Sequence, residues 1–307
     1  MTRPSEREAL RLLEAAAPAE ARTAAAADPL TFESSLYRRV RAAGERAGLE
    51  RLGIAFFDAE TTIQWSYNGD ASFHAASTMK LAVLLGVFRL VHRGELGLDE
   101  PVHVRNRFSS IVDGLPFRLE LGGADAEVQV HQGRTLSVRE LCYWMITKSS
   151  NFATNLLVDV VGVPAIHAAL QELHLEGITV LRGVEDHAAF EAGLNNQVTA
   201  AGLLKLLRLI AEERAFTPEL SGQMRDILLD QQYKSGIPAG LPKDARVAHK
   251  TGNITTVDHD AGIVFLEGRK PYVVVILTQF QSGQQGHHAV AEVSRDVFES
   301  LSRLAAD

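Results

Sequence analysis

Three short groups of residues in this chain carry side chains that do chemistry when brought together. The first is Ser77-Thr78-Met79-Lys80. Three residues along a helix put two side chains on one face, within contact distance. A serine hydroxyl is a poor nucleophile until a base takes its proton. A lysine can take it once burial or positive neighbours depress its pKa. The run Leu81-Ala82-Val83-Leu84-Leu85 behind Lys80 supplies that burial. A helix start also points free backbone N–H groups at anything bound beside Ser77. The second group is Ser149-Ser150-Asn151, directly after a helix expected to end at Lys148. Its hydroxyl can relay a proton while the amide two residues on holds a substrate carbonyl and the lysine. The third is Lys250-Thr251-Gly252, ahead of two apolar strands. A strand-borne Lys and Thr can bind a carboxylate, and the glycine lets another backbone come close. Taken singly, each group is weak: the first is also an N-cap serine with a snorkelling lysine, the second a polar helix–helix turn, and the third a lone tripeptide.

The elements that would position these groups follow from periodicity. Leu36 and Val40 begin a helix that ends near Gly48. Leu52 to Phe57 and Ile63 to Tyr67 form an antiparallel hairpin around Asp58-Ala59-Glu60-Thr61. A helix from about Ser77 to His92 is apolar nearly all round, which predicts burial on every side. Ser137-Val138-Arg139-Glu140 is a capping box opening the helix to Lys148. Pro164 and Pro218 sit just inside helix starts, and Thr199 to Glu213 is helical. Ala261 to Leu266 and Tyr272 to Leu277 are strands around Glu267-Gly268-Arg269-Lys270, and a last helix runs from about His288 to Leu304. Strands at both chain ends with helices between them predict an α+β fold. One antiparallel sheet is built from both ends and flanked by helices, with an all-helical lobe inserted between. A doubly wound parallel sheet would need strands alternating through the middle.

Composition excludes other classes. The 307 residues are 46% hydrophobic and 22% charged, as in a soluble globular protein. The charge balance of 31 − 38 = −7, without a basic stripe, argues against nucleic acid as a partner. One cysteine, Cys142, excludes a disulfide within the chain and any cysteine-based zinc site, and its apolar helix reads as core. Residues 1–31 read as a helical or loosely ordered extension before a domain over 32–307. Glu6, Glu8, Arg11 and Glu14 break what an export signal would need. No run approaches a membrane span. The expectation is therefore cytoplasmic, with a periplasmic or secreted location only if a leader had been removed.

In the order S-x-x-K, S-x-N, K-T-G, the three groups make a set. On these motifs, with Thr135 to Leu141, Ile146-Thr147 and Asn155-Leu156-Leu157 around them, the chain from Phe32 onward resembles the class A β-lactamases and related β-lactamase-like serine hydrolases. The resemblance implies an acyl-enzyme hydrolase without cofactor or metal, acting on a small molecule, a β-lactam or a related amide or ester. It makes Ser77 the acylated nucleophile and Lys80 its base. Ser149 passes a proton to the leaving nitrogen, and Asn151 contacts the substrate amide. Lys250 and Thr251 bind the substrate carboxylate. The backbone N–H groups of Ser77 and Asn253 form the oxyanion hole. A related esterase or D-alanyl peptidase, and a penicillin-binding protein that acylates without efficient turnover, remain open beside it.

Three departures bear on this. Ser150 stands where the family has the aspartate of S-D-N. The strand after K-T-G carries Asp258-His259-Asp260 and no evident basic residue. That triplet reads as a solvated turn before a strand rather than part of a hydrolase triad. The deacylating loop reads Arg182 to Asn196, and two glutamates compete for the water-activating role. Glu185, three residues after Arg182, is favoured over Glu191, which fits the pattern E-x-x-L-N by letter but falls on the closing arm. Asn196 replaces the aspartate that pairs with the arginine, so the loop is expected to be looser and turnover slow. His287-His288 reads as an exposed pair opening the last helix rather than a metal site.

Overall fold

The computed structural model describes residues 29–281 and 287–304. Of the expected extension, residues 1–28 lie outside the described residues, and helix begins at Pro29. Five antiparallel strands form the main sheet in the order Arg246–Ile254, Val257–Phe265, Tyr272–Gln279, Arg51–Asp58, Gln64–Tyr67. Among the described residues the first strand therefore pairs with the last, Ile54 opposite Ile276, so segments far apart in sequence build one sheet.

Side chains alternate across this sheet, so each strand feeds two cores. Ile54, Phe56, Val247, Val264, Val274 and Ile276 pack on one face beneath the helices Pro29–Arg46 and His287–Leu304. Ala55, Phe57, Ala248, Ala261, Ile263 and Val275 face the helical lobe. A sheet covered on both faces reads as nearly continuous apolar runs, which is how these strands read. The fold is the expected α+β arrangement. Among the described residues no single helix is long and apolar enough to cross a membrane.

Two features of the lobe place the chemistry. Ala76–Met79 is a 3-10 turn leading into the helix Lys80–His92, whose residues from Lys80 to Phe88 are all buried. The helix Val138–Thr147 opens on the expected capping box, with Glu140 N donating to Ser137 Oγ at 3.2 Å and Ser137 N to Glu140 Oε2 at 2.8 Å. It ends at the 148–150 connection, and the helix Asn151–Val161 follows.

One expectation is corrected. Asp258, His259 and Asp260 are not a solvated turn; they lie in the strand Val257–Phe265 and are buried. Burial is tolerated because partners meet them. His249 Nδ1 lies 2.9 Å from Asp260 Oδ1, Ile237 N donates to Asp260 Oδ2 at 2.8 Å, and Thr278 Oγ1 donates to the Asp258 carbonyl. His259 Nε2 donates to the His74 carbonyl at 2.9 Å.

Candidate active site

The edge strand Arg246–Ile254 meets the Ala76–Met79 turn at Gly252. A Cβ there would lie 3.1 Å from the Thr78 nitrogen and 3.2 Å from the Ser77 nitrogen, tight enough that any other residue would push strand and turn apart by a few tenths of an ångström. An edge strand leaves one row of N–H and C=O groups unpaired. Beside this contact opens a cleft of about 330 Å³, lined among others by Ser77, Asn151, Val184, Glu185, Phe190 and Asn253. Ser77 and Asn253, the expected pair of oxyanion donors, both line it.

Behind Ser77 the polar groups converge. Lys80 Nζ donates to the Ser149 carbonyl at 2.6 Å, to Asn151 Oδ1 at 2.8 Å and to Ser149 Oγ at 3.2 Å. Lys250 Nζ donates to Ser149 Oγ at 3.0 Å and to the Thr251 carbonyl at 2.9 Å. Ser149 Oγ accepts from both lysines, which leaves its own hydrogen for a group in the cleft. To do so Ser149 adopts a left-handed backbone, with φ at 56°. Such strain persists where surroundings fix it, and here the carbonyl it turns inward is a Lys80 acceptor. Thr251, half-buried, follows Lys250 on the strand.

Both lysines are fully buried. Burial lowers Lys80 well below its usual range, and the Lys250 charge lowers it further, against the pull of Asp125 and Glu185. Burial likewise pushes Lys250 down to about 7, against the attraction of Asp260. A lysine so depressed can take a proton near neutral pH. Neither lysine's hydrogen bonds include Ser77 Oγ.

The missing aspartate of the second motif is replaced from another segment. Ser150 Oγ donates to Asp125 Oδ1 at 2.7 Å, and the same oxygen accepts from Phe152 N at 2.9 Å. Ser150 also caps its helix, accepting from Ala153 N at 3.0 Å. A buried carboxylate thus still anchors the start of the Asn151 helix, which aims Asn151.

The structure brings Glu185 into the site and leaves Glu191 outside it. Asn151 Nδ2 donates to Glu185 Oε1 at 2.7 Å, and Glu120 N donates to Oε2 at 3.2 Å. Glu191 is exposed at the end of the short helix His187–Glu191. The slack expected of the loop is not there. Asn196 Oδ1 accepts from Leu181 N at 2.8 Å and its Nδ2 donates to the Arg182 carbonyl at 3.0 Å, closing the neck. Arg182 donates instead to the Leu194 carbonyl at 2.9 Å and to Asn195 Oδ1 at 3.0 Å. Asn155 exchanges two bonds with Val184, at 2.9 and 2.7 Å, and a side chain at Gly183 would collide with it. Asp186 accepts from Ser110 Oγ at 2.9 Å and from Ile111 N at 3.0 Å, tying the loop to the turn between the paired strands Phe108–Ser109 and Pro116–Phe117.

Asp125, Asn155 and Asp186 were not singled out as site residues from sequence. Asn155 lies one helical turn after Asn151, a spacing that puts both on one face and could have marked it. Nothing local marks Asp125, which acts from another segment. Among the described residues no group of three or more His, Cys, Asp or Glu is placed to hold a metal ion. His288 is exposed, and the His287 side chain lies outside what is described.

Comparison with known proteins bears on the family and the fold. Residues 35–301 match a family model described as the β-lactamase enzyme family. A β-lactamase of Streptomyces fradiae is 28% identical over 296 residues, covering 92% of each chain. The solved structure of PBP-A aligns with a TM-score of 0.75 at 25% identity, covering 88% of this chain and 96% of that one. An ancestral class A β-lactamase aligns with a TM-score of 0.74 at 28% identity, over 86% of this chain and 99% of the other.

Proposed function

The chain belongs to the β-lactamase enzyme family, and from that premise we propose that it hydrolyses the ring amide of a β-lactam through an acyl-enzyme on Ser77. Ser77 Oγ attacks the ring carbonyl as Lys80 takes its proton. The oxyanion forms against the N–H groups of Ser77 and Asn253, donors of a kind worth roughly 10²–10³ in rate. Ser149 hands its proton to the departing ring nitrogen and is reprotonated from the lysines that hold it. Lys250 and Thr251 receive the substrate carboxylate. Glu185 then takes a proton from a water whose oxygen attacks the ester carbon; as the bond to Ser77 Oγ breaks, that proton passes to the serine oxygen and Ser77 is restored.

The observation that carries this reading is the shared amide of Asn151. It joins Lys80 at 2.8 Å to Glu185 at 2.7 Å, so the acylating and deacylating groups belong to one hydrogen-bonded unit. The likeness to PBP-A, one mutant of which is known as an acyl-enzyme complex with penicillin G, favours a second reading in which acylation outpaces turnover. Steady-state hydrolysis of a chromogenic cephalosporin beside a generic ester separates them. Sustained turnover with the cephalosporin preferred is the expected result. One stoichiometric burst followed by silence means an acylating trap, and preference for the ester means an esterase.

A further inference from the structure

A histidine outside all three motifs holds the turn that presents Ser77. His74 Nδ1 accepts from the backbone N–H of Ala76 at 3.0 Å, and Ala76 has a left-handed φ of 44°. A non-glycine residue keeps that conformation only where its surroundings impose it. His74 is itself fixed from two sides. Its carbonyl accepts from His259 Nε2 at 2.9 Å, and His259 Nδ1 accepts in turn from Thr278 N at 3.1 Å. It also pairs with Gln197 in a short strand, while Ala75 N donates to the Asn196 carbonyl at 2.9 Å. The His74 ring lines the same cleft as Ser77.

We propose that His74 is a positioning residue for Ser77: as a neutral imidazole it accepts the Ala76 N–H and so fixes the strained turn that aims the nucleophile. The inference rests on the reading of Ser77 as nucleophile. Its chemistry is that of an acceptor, not a base. A proton on Nδ1 would set two donors against each other, and the turn would lose its tie. Arg182 and Asn195 from the loop act on the ring, Phe190 from the short helix meets it edge-on, His259 from the sheet holds its carbonyl, and Ser77, Glu185, Asp186 and His187 line the same cleft. Burial first and the Arg182 charge second lower the His74 pKa below 6.5, while Asn195 opposes them. The tie therefore holds through neutral pH and fails on acidification.

The second-order acylation rate with penicillin G, followed by intact-protein mass spectrometry from about pH 5 to 8, tests this in two variants. His74→Asn keeps an acceptor, because an asparagine oxygen reaches the N–H two residues on. His74→Leu keeps apolar volume and removes the acceptor. His74→Leu is expected to acylate about 10²-fold more slowly at neutral pH. His74→Asn is expected to keep the parent rate there and to lose less of it than the parent does on acidification. A His74→Leu variant that acylates like the parent, or a His74→Asn variant that keeps the parent's acid limb, overturns the proposal. If His74→Leu does not fold, the His74→Asn profile decides alone. A parent that penicillin G never acylates overturns the functional reading instead. Labelling by a fluorophosphonate, which needs only a positioned hydroxyl, then decides the inference by the same two comparisons.

Discussion

The wall of the cleft that carries Lys250 and the wall that carries Glu185 differ in what holds them. Lys250 sits in a nine-residue strand, Arg246–Ile254, paired along its length with Val257–Phe265 and packed on both faces. Glu185 sits between Arg182 and the short helix His187–Glu191, its own φ at 59°, in a loop held by side chains reaching to backbone. Asn155, Asn196, Arg182 and Asp186 supply those clips. A ladder fixes a side chain through many small, redundant bonds. A clipped loop fixes one through a few, and losing any of them is felt. The strand wall is thus built to tolerate change, and the loop wall is not.

Substitutions on each wall sharpen or break this contrast. The largest effect belongs to Ser77→Ala, expected to lower kcat by about 10⁴-fold or more and to abolish any penicilloyl adduct. Residual labelling of that variant would place the nucleophile elsewhere. On the loop, Asn155→Ala removes both bonds to Val184. It is expected to slow deacylation by about 10²-fold while acylation stays near the parent rate. Burst and steady-state phases of cephalosporin hydrolysis separate the two steps, and equal slowing of both would deny the loop its separate role.

Comparable or smaller is the expected effect of Lys250→Ala. It should weaken acylation by carboxylate-bearing β-lactams by about 1.5–3 kcal/mol more than acylation by neutral esters, the worth of a charge-assisted contact. Equal losses for both would make Lys250 part of the proton network alone.

Least affected is turnover in the prediction on acid stability. Burial depresses the His259 pKa from 6.5 to about 4. The unfolded chain then binds the extra proton first as pH falls, so this contribution to stability is full above 6.5 and is lost progressively down to about 4. His259→Gln should flatten the fall of Tm over that window. A variant whose Tm falls as steeply as the parent's would assign acid sensitivity to other groups.

The same contrast governs what was legible in the sequence. The hairpin of Leu52 to Tyr67, the buried helix after Ser77 and the capping box at Ser137 follow from local periodicity, because short-range geometry decides them. The Asp258 to Asp260 triplet misleads because its letters look solvated, and only the register that sets Asp260 opposite Thr251 and beside His249 shows its partners. Asp125 stands in for an absent motif aspartate from 25 residues away, and no local pattern announces it. In the loop, counting three residues from Arg182 points to Glu185, but loss of the Arg–Asp pair wrongly suggested slack. An amide at Asn196 closes the neck through backbone, where the aspartate would have closed it through charge.

The central claim is that Ser77 is acylated and that Glu185 frees it. Its most direct measurement follows the mass of the intact protein with time after a pulse of penicillin G, in the parent and in Glu185→Gln. The account predicts that the parent returns to its unmodified mass, while Glu185→Gln gains one penicilloyl adduct on Ser77 and keeps it. A Glu185→Gln variant that clears the adduct as fast as the parent, or a Glu191→Gln variant that traps it instead, would contradict the account.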